Sequence, residues 1–501
     1  MERLPRSSGI LMPIFSLPSP YGIGTLGKAA YDFIDFLAAA GQRWWQMLPV
    51  GPISYGDSPY QSFSTFAGNP YYVDLDLLVK DGLLKRSELA GVEWGADPAR
   101  VDYGRLYENR FAVLKKAADR GLKRVDGAFA AFCAENAAWL DDYALFMALK
   151  RRFDMRPWSE WPEEDIRLHR PEACERWREE LREDVDFFRY IQFLFFRQWT
   201  ALKAHAEEKG VGIIGDLPIY VAMDSADVWA EPQWFQLDGD NVPTEVAGVP
   251  PDYFNEDGQL WGNPLYRWDA VQDDGFGWWI RRVEGAFRLF DVVRIDHFRG
   301  LESYYAVPYG DTTAKNGRWV KGPGTALTDV LSGWFAGKMF IAEDLGYMTP
   351  EVKKLLADSG FPGMKVLEFA FDPREPSDYL PHTYPRNCVC YTGTHDNATL
   401  AGWKKEVGKK NVDFARAYLG LNDEEGFIRG VIRGGMSSVA DLFVAQMQDW
   451  LELGKEGRVN VPGVPQGNWT WRMLPGAASR PLARQIAALT KRYGRLPAKD
   501  A

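Results

Sequence analysis

Short, continuous runs of apolar and β-branched residues recur along the chain, separated by stretches in which apolar positions return every three or four residues. The runs are "RWWQMLPV" (43–50), "YYVDL" (71–75), "GVGIIGDLPIYV" (210–221), "VVRIDHF" (292–298), "MFIAEDLG" (339–346), "MKVLEFAF" (364–371), "CVCYTGTHDN" (388–397) and "RVNVPGV" (458–464). Strands buried on both faces read as unbroken apolar runs, and their alternation with amphipathic helices is the pattern of a parallel sheet covered by helices. Eight such units predict an α/β fold closed as a (β/α)8 TIM barrel rather than an open sheet.

Uneven spacing between the runs shows where insertions sit on what reads as a single catalytic barrel over residues 1–501. Residues 80–205, rich in Glu, Lys, Arg, Ala and Leu, carry helical stretches such as "RFAVLKKAADRG" and predict a largely helical subdomain after the second strand. Residues 222–290 read as an aromatic loop region over the cleft, and 301–337 as a loop and helix insertion. After the last run about 37 residues remain, too few for a C-terminal β-domain.

Four runs end in acids: Asp216 closes "IIGD", Asp296 closes "VRID", Glu343 and Asp344 close "FIAED", and Asp396 closes "YTGTHD". Barrel chemistry collects where strands end and loops begin, at the C-terminal mouth. One such acid would be read as the N-cap of the following helix. Four strands ending this way, one with Arg294 two residues before its acid and one with His395 beside it, point to function, because buried charge is costly unless paired or used. Strand alternation puts Arg294 and Asp296 on one face and Val293 and Ile295 on the other. Such carboxylates suit glycosyl transfer, which needs one ionised carboxylate and one protonated acid. Asp296, beside Arg294, suits the nucleophile; Glu343, after the apolar "MFIA", suits the proton donor.

Composition narrows the picture. A net charge of −10 argues against nucleic acid, which needs a positive footprint. The four cysteines lack disulfide or zinc spacing, and the five histidines form no HxH or HExxH pattern, so no metal and no cofactor is expected. The apolar N-terminal stretch is broken by Pro13, Pro18 and Pro20, and no run is long enough to span a membrane, so a cytoplasmic protein without membrane association is expected. Aromatic residues make up 14% of the chain and concentrate in Gly- and Pro-rich stretches, where some would serve as stacking platforms for sugar rings.

The motifs "GDLPIYV", "RIDHFRG", "AEDLG" and "THDN", in this order, resemble those of the 4-α-glucanotransferases of glycoside hydrolase family 77, amylomaltase or disproportionating enzyme. The likeness extends to "GILMPIFSLPSPYGIGTLG", "WWQMLPVGPISYGDSPYQSFSTFAGNP" and "PPDYFNEDGQLWGNPLYRW", hence to nearly the whole chain. It implies a retaining mechanism in which Asp296 attacks the anomeric carbon, Glu343 acts as acid and base, and Asp396 holds ring hydroxyls. Arg294, His395 and Asp216 would position sugar and nucleophile, with Tyr60, Asn263 and Pro264 near the donor. Tyr253, Phe254, Gln259 and Trp261 would lie on a loop arching over the cleft and excluding water. Tyr55 resembles a position where some members hold a second glucan. The implied partners are malto-oligosaccharides, amylose or starch, with glucose as acceptor and with long glucans open to cyclisation. An α-amylase-type retaining hydrolase would use the same three carboxylates. The opening departs from the family's usual form, with Pro13 where His is common and Thr25 where Asp is common. His297 and Arg299 suit either substrate contact or loop support, and oligomeric state stays open.

Overall fold

The structure, a computed structural model, describes residues 3–54, 56–124, 127–251, 255–464 and 466–497. Its centre is an eight-stranded parallel sheet: β1 (Ser7–Leu11), β2 (Trp44–Gln46), β3 (Gly212–Leu217), β4 (Val292–Ile295), β5 (Met339–Ala342), β6 (Gly363–Val366), β7 (Cys388–Tyr391) and β8 (Leu442–Gln446). The strands pair in chain order, and β8 returns to pair with β1. Between β5 and β6 the ring is drawn together by the Ala342 N–H donating to Pro362 O at 3.0 Å. The sheet is therefore nearly closed as a (β/α)8 barrel. Every residue of β1, β2, β4, β7 and β8 is buried, which is why the matching sequence runs are apolar throughout.

Two of the eight runs are not strands, and two strands lie elsewhere. "YYVDL" is bracketed by helix caps: Asn69 accepts from Tyr71 N to start the 3-10 turn Pro70–Tyr72, and Asp74 accepts from Leu77 N to start the helix Leu75–Lys80. Local capping thus overrides an apolar pentapeptide. "RVNVPGV" is irregular, broken by Pro462 and Gly463. In their place stand β1, whose first two residues are serines, and β8, whose "LFVAQ" runs directly into the helical turn Met447–Trp450.

Between β2 and β3 the chain builds a helical layer whose long members are Tyr103–Gly121, Gly127–Arg152 and Arg182–Glu208. The last two pack through aromatic rings, Phe132 against Phe193 and Trp139 against Phe196, at 5.8 and 5.9 Å between centroids. A second, antiparallel sheet forms from Glu245–Val249 and Gln259–Pro264 after β3 and from Ser303–Pro308 and Arg318–Lys321 after β4. Glycines and prolines around these strands hide their alternation from the sequence. After β8 the last helix among the described residues is Arg480–Arg492, and those residues contain no separate C-terminal β-domain. No described helix is long and apolar enough to cross a membrane.

The loop leaving β3 is held from behind. A Cβ at Gly215 would overlap the Phe290 ring, with atoms only 2.0 Å away, so β3 sits against the helix Gly277–Leu289 and its end residue Phe290 immediately before Asp216. Arg282 of that helix is buried and donates to the carbonyl oxygens of Pro218, Ile219 and Tyr220 and to the Tyr266 hydroxyl, while its guanidinium lies 5.4 and 5.1 Å from the Trp278 and Trp279 rings. Replacing it leaves several buried acceptors without donors. Arg282→Met should therefore lower unfolding stability by about 3 kcal/mol or more. A thermal-unfolding midpoint equal to that of the parent would rule out this role.

Candidate active site

β3 and β4 pair in register, which sets Asp216 opposite Arg294. Arg294 Nη1 lies 2.7 Å from both carboxylate oxygens of Asp216 and 2.8 Å from Oδ1 of Asp296. Arg294 and Asp296 thus share the inward face. Burial on its own would lower the Arg294 pKa, but Asp216 and Asp296 outweigh it and raise it well above the ordinary value. Burial raises the Asp216 pKa against the pull of Arg294, and its second partner is the Tyr60 hydroxyl, which donates to Oδ2 at 2.7 Å. Asp216 is almost wholly enclosed, whereas the side chain of Asp296 is 27% exposed. Asp216 is thus enclosed against the cation, while part of the Asp296 carboxylate stays accessible.

Glu343 follows β5 and is anchored by its own N–H donating to Ile295 O at 3.0 Å. Its Oε2 accepts from His297 N at 2.7 Å and its Oε1 from Leu345 N at 3.0 Å. Burial first, and the charge of Asp296 second, push the Glu343 pKa up to about 8, while Arg294 and the two N–H groups pull the other way. Asp344, the next residue, serves differently: its Oδ1 accepts from Met364 N at 2.6 Å and helps tie β5 to the start of β6.

Asp396, past the end of β7, stands exposed at the rim. Its Oδ1 accepts from Asn460 Nδ2 at 2.6 Å, its main-chain oxygen from Arg458 Nη2 at 3.1 Å, and its Oδ2 lies 3.3 Å from His395 Nε2. Desolvation by the protein around its half-exposed carboxylate would raise its pKa, but His395 and Asn460 outweigh this and bring it down to about 2. The His395 ring stacks on Tyr60 at 5.1 Å, with Nδ1 3.5 Å from the tyrosine oxygen. Burial lowers the His395 pKa less than Asp396 raises it.

The outer positions divide. Trp261 packs edge-on against His297 at 4.8 Å and donates through Nε1 to Gln259 Oε1 at 3.1 Å. Asn263 is turned to Val221 O, 2.8 Å away, and to Gln61, and Pro264 is buried in the strand. Tyr55, Tyr253 and Phe254 lie outside the described residues. His297 takes a left-handed backbone, φ 51°, that aims its N–H at Glu343, and burial lowers its ring pKa to about 4. Arg299 bonds Tyr347 O at 2.7 Å and lies over the Trp319 ring, so it supports the loop carrying Glu343.

Arg458, Asn460 and Trp469 carried no strand-end signal. Arg458 and Asn460 belong to a run that reads as a strand, yet they clamp Asp396 from a loop. Trp469 lies 5.8 Å from Tyr60 and 6.0 Å from His395. Glu368, after β6, is only 8% exposed, and its Oε1 has no hydrogen-bond partner among the described residues; burial and then Asp449 hold its pKa well above the ordinary value. The acid at this strand end follows the apolar pair Val366 and Leu367 much as Glu343 follows "FIA", which was the available signal. Among the described residues no group of three or more His, Cys, Asp and Glu is placed to hold a metal ion.

Three carboxyl groups at strand ends therefore differ in surroundings: Asp296 lies beside a fixed cation, Glu343 has its pKa pushed up to about 8, and Asp396 has its pKa brought down to about 2. That is the charge pattern suited to substitution at an acetal carbon. Fold and site together define a (β/α)8-barrel protein of the carbohydrate-active type. A family profile described as 4-alpha-glucanotransferase matches residues 12–477, and the chain belongs to that family. It is 47% identical over 486 residues to the 4-alpha-glucanotransferase of Clostridium butyricum, covering 97% of this chain and 100% of that one. It is 49% identical over 505 residues to that of Thermus thermophilus, covering 98% and 100%. The solved amylomaltase from Streptococcus agalactiae in complex with acarbose superposes with a TM-score of 0.96 at 39% identity, covering 98% of this chain and 100% of that chain. Its relatives are glycosyl-transferring enzymes, and so is this chain.

The raised Glu343 pKa has a consequence for stability. Between 4.5 and about 8 the unfolded chain has lost this proton and the native protein keeps it, so the native state's advantage shrinks as pH rises through that window. Glu343→Gln lacks the titration. The variant should gain stability relative to the parent on going from pH 5 to pH 9, read from denaturant midpoints; a difference independent of pH would contradict the assignment.

Proposed function

We propose that the chain transfers α-1,4-glucan segments from a donor malto-oligosaccharide or starch chain to the 4-hydroxyl of an acceptor glucan or glucose, by double displacement with retention. An Asp296 carboxylate oxygen attacks C1 of the donor sugar. The C1–O4 bond breaks, and the Glu343 proton goes to the departing O4. The glycosyl group is then an ester on Asp296. In the second half Glu343, now a carboxylate, takes the proton of the acceptor 4-hydroxyl, the acceptor oxygen attacks C1, and the ester bond breaks to restore Asp296. Atoms and charges balance with no cofactor.

The observation that carries this reading is the different setting of two carboxyl groups on neighbouring strand ends, one 2.8 Å from the Arg294 guanidinium and one whose burial pushes its pKa up to about 8. Asp396, ionised and fixed by Asn460 and Arg458, is suited to hold ring hydroxyls as the sugar flattens toward an oxocarbenium ion. Arg294, Asp216, Tyr60 and His395 keep nucleophile and sugar oriented. Acarbose in the amylomaltase of S. agalactiae supports a glucan-like ligand here. Transfer rather than hydrolysis follows from the aromatic cover: Trp261 closes on His297 beside Glu343, and Tyr253, Phe254, Gln259, Asn263 and Pro264 belong to the same stretch. A glucan that stacks there excludes water from the ester. When the attacking hydroxyl lies on the same chain, the product of the same chemistry is a cyclic glucan. Tyr55 is the proposed contact to a second glucan.

Incubated with maltotriose, the protein should produce glucose and longer oligomers with an almost constant number of reducing ends. A steady rise in reducing ends would make it an α-amylase-type hydrolase instead. Asp296→Ala should reduce turnover by at least about 10⁴-fold. Retention of substantial turnover in a folded Asp296→Ala variant would move the nucleophile elsewhere.

A further inference from the structure

Two aromatic side chains beside the Glu343 loop have no role in the displacement described above. Trp319, on the edge strand Arg318–Lys321 of the antiparallel sheet, is 43% exposed, and Tyr347, four residues beyond Glu343, is 78% exposed. Buried Arg299 links them. Its guanidinium carbon lies 3.9 Å from the centre of the Trp319 ring, its Nη1 donates to Tyr347 O at 2.7 Å, and its Nη2 donates to Ser303 Oγ at 3.3 Å. Tyr305 meets the Trp319 ring in an edge arrangement at 5.2 Å. The indole is thus braced on one face by a cation and along its side by another ring. What stays accessible on Trp319 is braced aromatic surface, and the Tyr347 side chain projects from a main chain that the same arginine holds.

The sheet explains its position. Its strand order puts Gln259–Pro264 at one edge and Arg318–Lys321 at the other. One edge brings Trp261 against His297, the other brings Trp319 against Arg299, and these two contacts are only two residues apart in the turn after β4. That turn holds Glu343 through His297 N, and the Glu343 loop continues through Leu345 to Tyr347. Trp261, Trp319 and the residue Tyr347 are therefore all tied to the turn and loop that carry the proton donor. In the displacement proposed above, the side of the proton donor is occupied by the leaving chain and then by the acceptor.

We propose that Trp319 and Tyr347 form a platform for the acceptor glucan, taking α-1,4-linked glucose residues beyond the one next to Glu343. The inference rests on the transfer reading of this site. The C–H faces of glucose rings cover aromatic surface that water solvates poorly, and a preformed platform gives up little entropy on binding. The rim supplies partners for the sugar hydroxyls: Lys321 is paired with Glu302, and Arg318 with Glu245 at 2.8 Å. Glucose as acceptor reaches only the position next to Glu343, while maltotetraose reaches the platform as well.

The test compares the KM for maltotetraose with that for glucose as acceptor, at a fixed saturating donor, in the full-length parent and in Tyr347→Ala and Trp319→Ala. The ratio of the two KM values should rise roughly 2- to 10-fold in each variant, the range of one aromatic stacking contact. Tyr347→Ala keeps the main-chain oxygen that Arg299 binds, so it tests the platform even where Trp319→Ala loosens the loop. An unchanged ratio in Tyr347→Ala, or a loss of equal size with both acceptors, overturns the platform. Absence of any glucan transfer by the parent protein would instead overturn the transfer reading on which the platform rests.

Discussion

A guanidinium buried in the wall of an apolar barrel is the constraint around which the site is organised. Arg294 is 3% exposed, and a cation at that depth is tolerated only where negative groups and hydrogen bonds replace water. Asp216 gives it both carboxylate oxygens, and Asp296 gives a third contact. The demand propagates outward. Asp216 needs a donor of its own, which is Tyr60; Tyr60 stacks on His395; His395 pairs with Asp396. One buried charge thus joins β3, β4, the loop after β2 and the loop after β7, and it leaves Asp296 as the member of the pair open to the cleft.

The same surroundings assign different states to chemically similar groups. Glu343, enclosed near Asp296, keeps its proton up to about pH 8, while Asp396, exposed and donated to by Asn460, is ionised down to about 2. Asp344, next to Glu343 in sequence, has turned to the main chain of β6, and Asp449 is occupied by Thr392 and Leu400 N. Neighbours in sequence can therefore have unrelated duties. Side-chain direction at the strand end separates a chemical group from a structural one, and burial with local charge then sets its proton.

Pieces far apart in the chain complete the mouth. Arg458 and Asn460 reach Asp396 across about 60 residues of sequence, and Trp469 arrives from the same loop. The antiparallel sheet draws on segments either side of β4 and lowers a tryptophan at each edge onto the turn that fixes Glu343. Arg282 holds the loop after β3 from behind through three carbonyl oxygens. None of these groups needs to touch a sugar to matter, because each restricts a loop on which a carboxyl group rides.

Local pattern was enough to reveal the barrel, six of its strands and the acids that end them. A strand buried on both faces must be apolar along its length, and an acid closing such a run stands out, as at Asp216, Asp296, Glu343 and Asp396. The pairing of Arg294 with Asp296 was legible for the same reason, since residues two apart on a strand share a face. Pattern failed where a short run obeyed two rules at once: capping by Asn69 and Asp74 made a helical turn of "YYVDL", and "LFVAQ" ran unmarked into a helix. Tertiary structure alone decided which carboxyl keeps a proton, that Asn460 and Arg458 clamp Asp396, that Arg299 braces a loop, and that Glu368 is enclosed with its Oε1 unpaired among the described residues. Those outcomes depend on dielectric surroundings and on contacts between distant segments, and neither is written in the order of residues around any one of them.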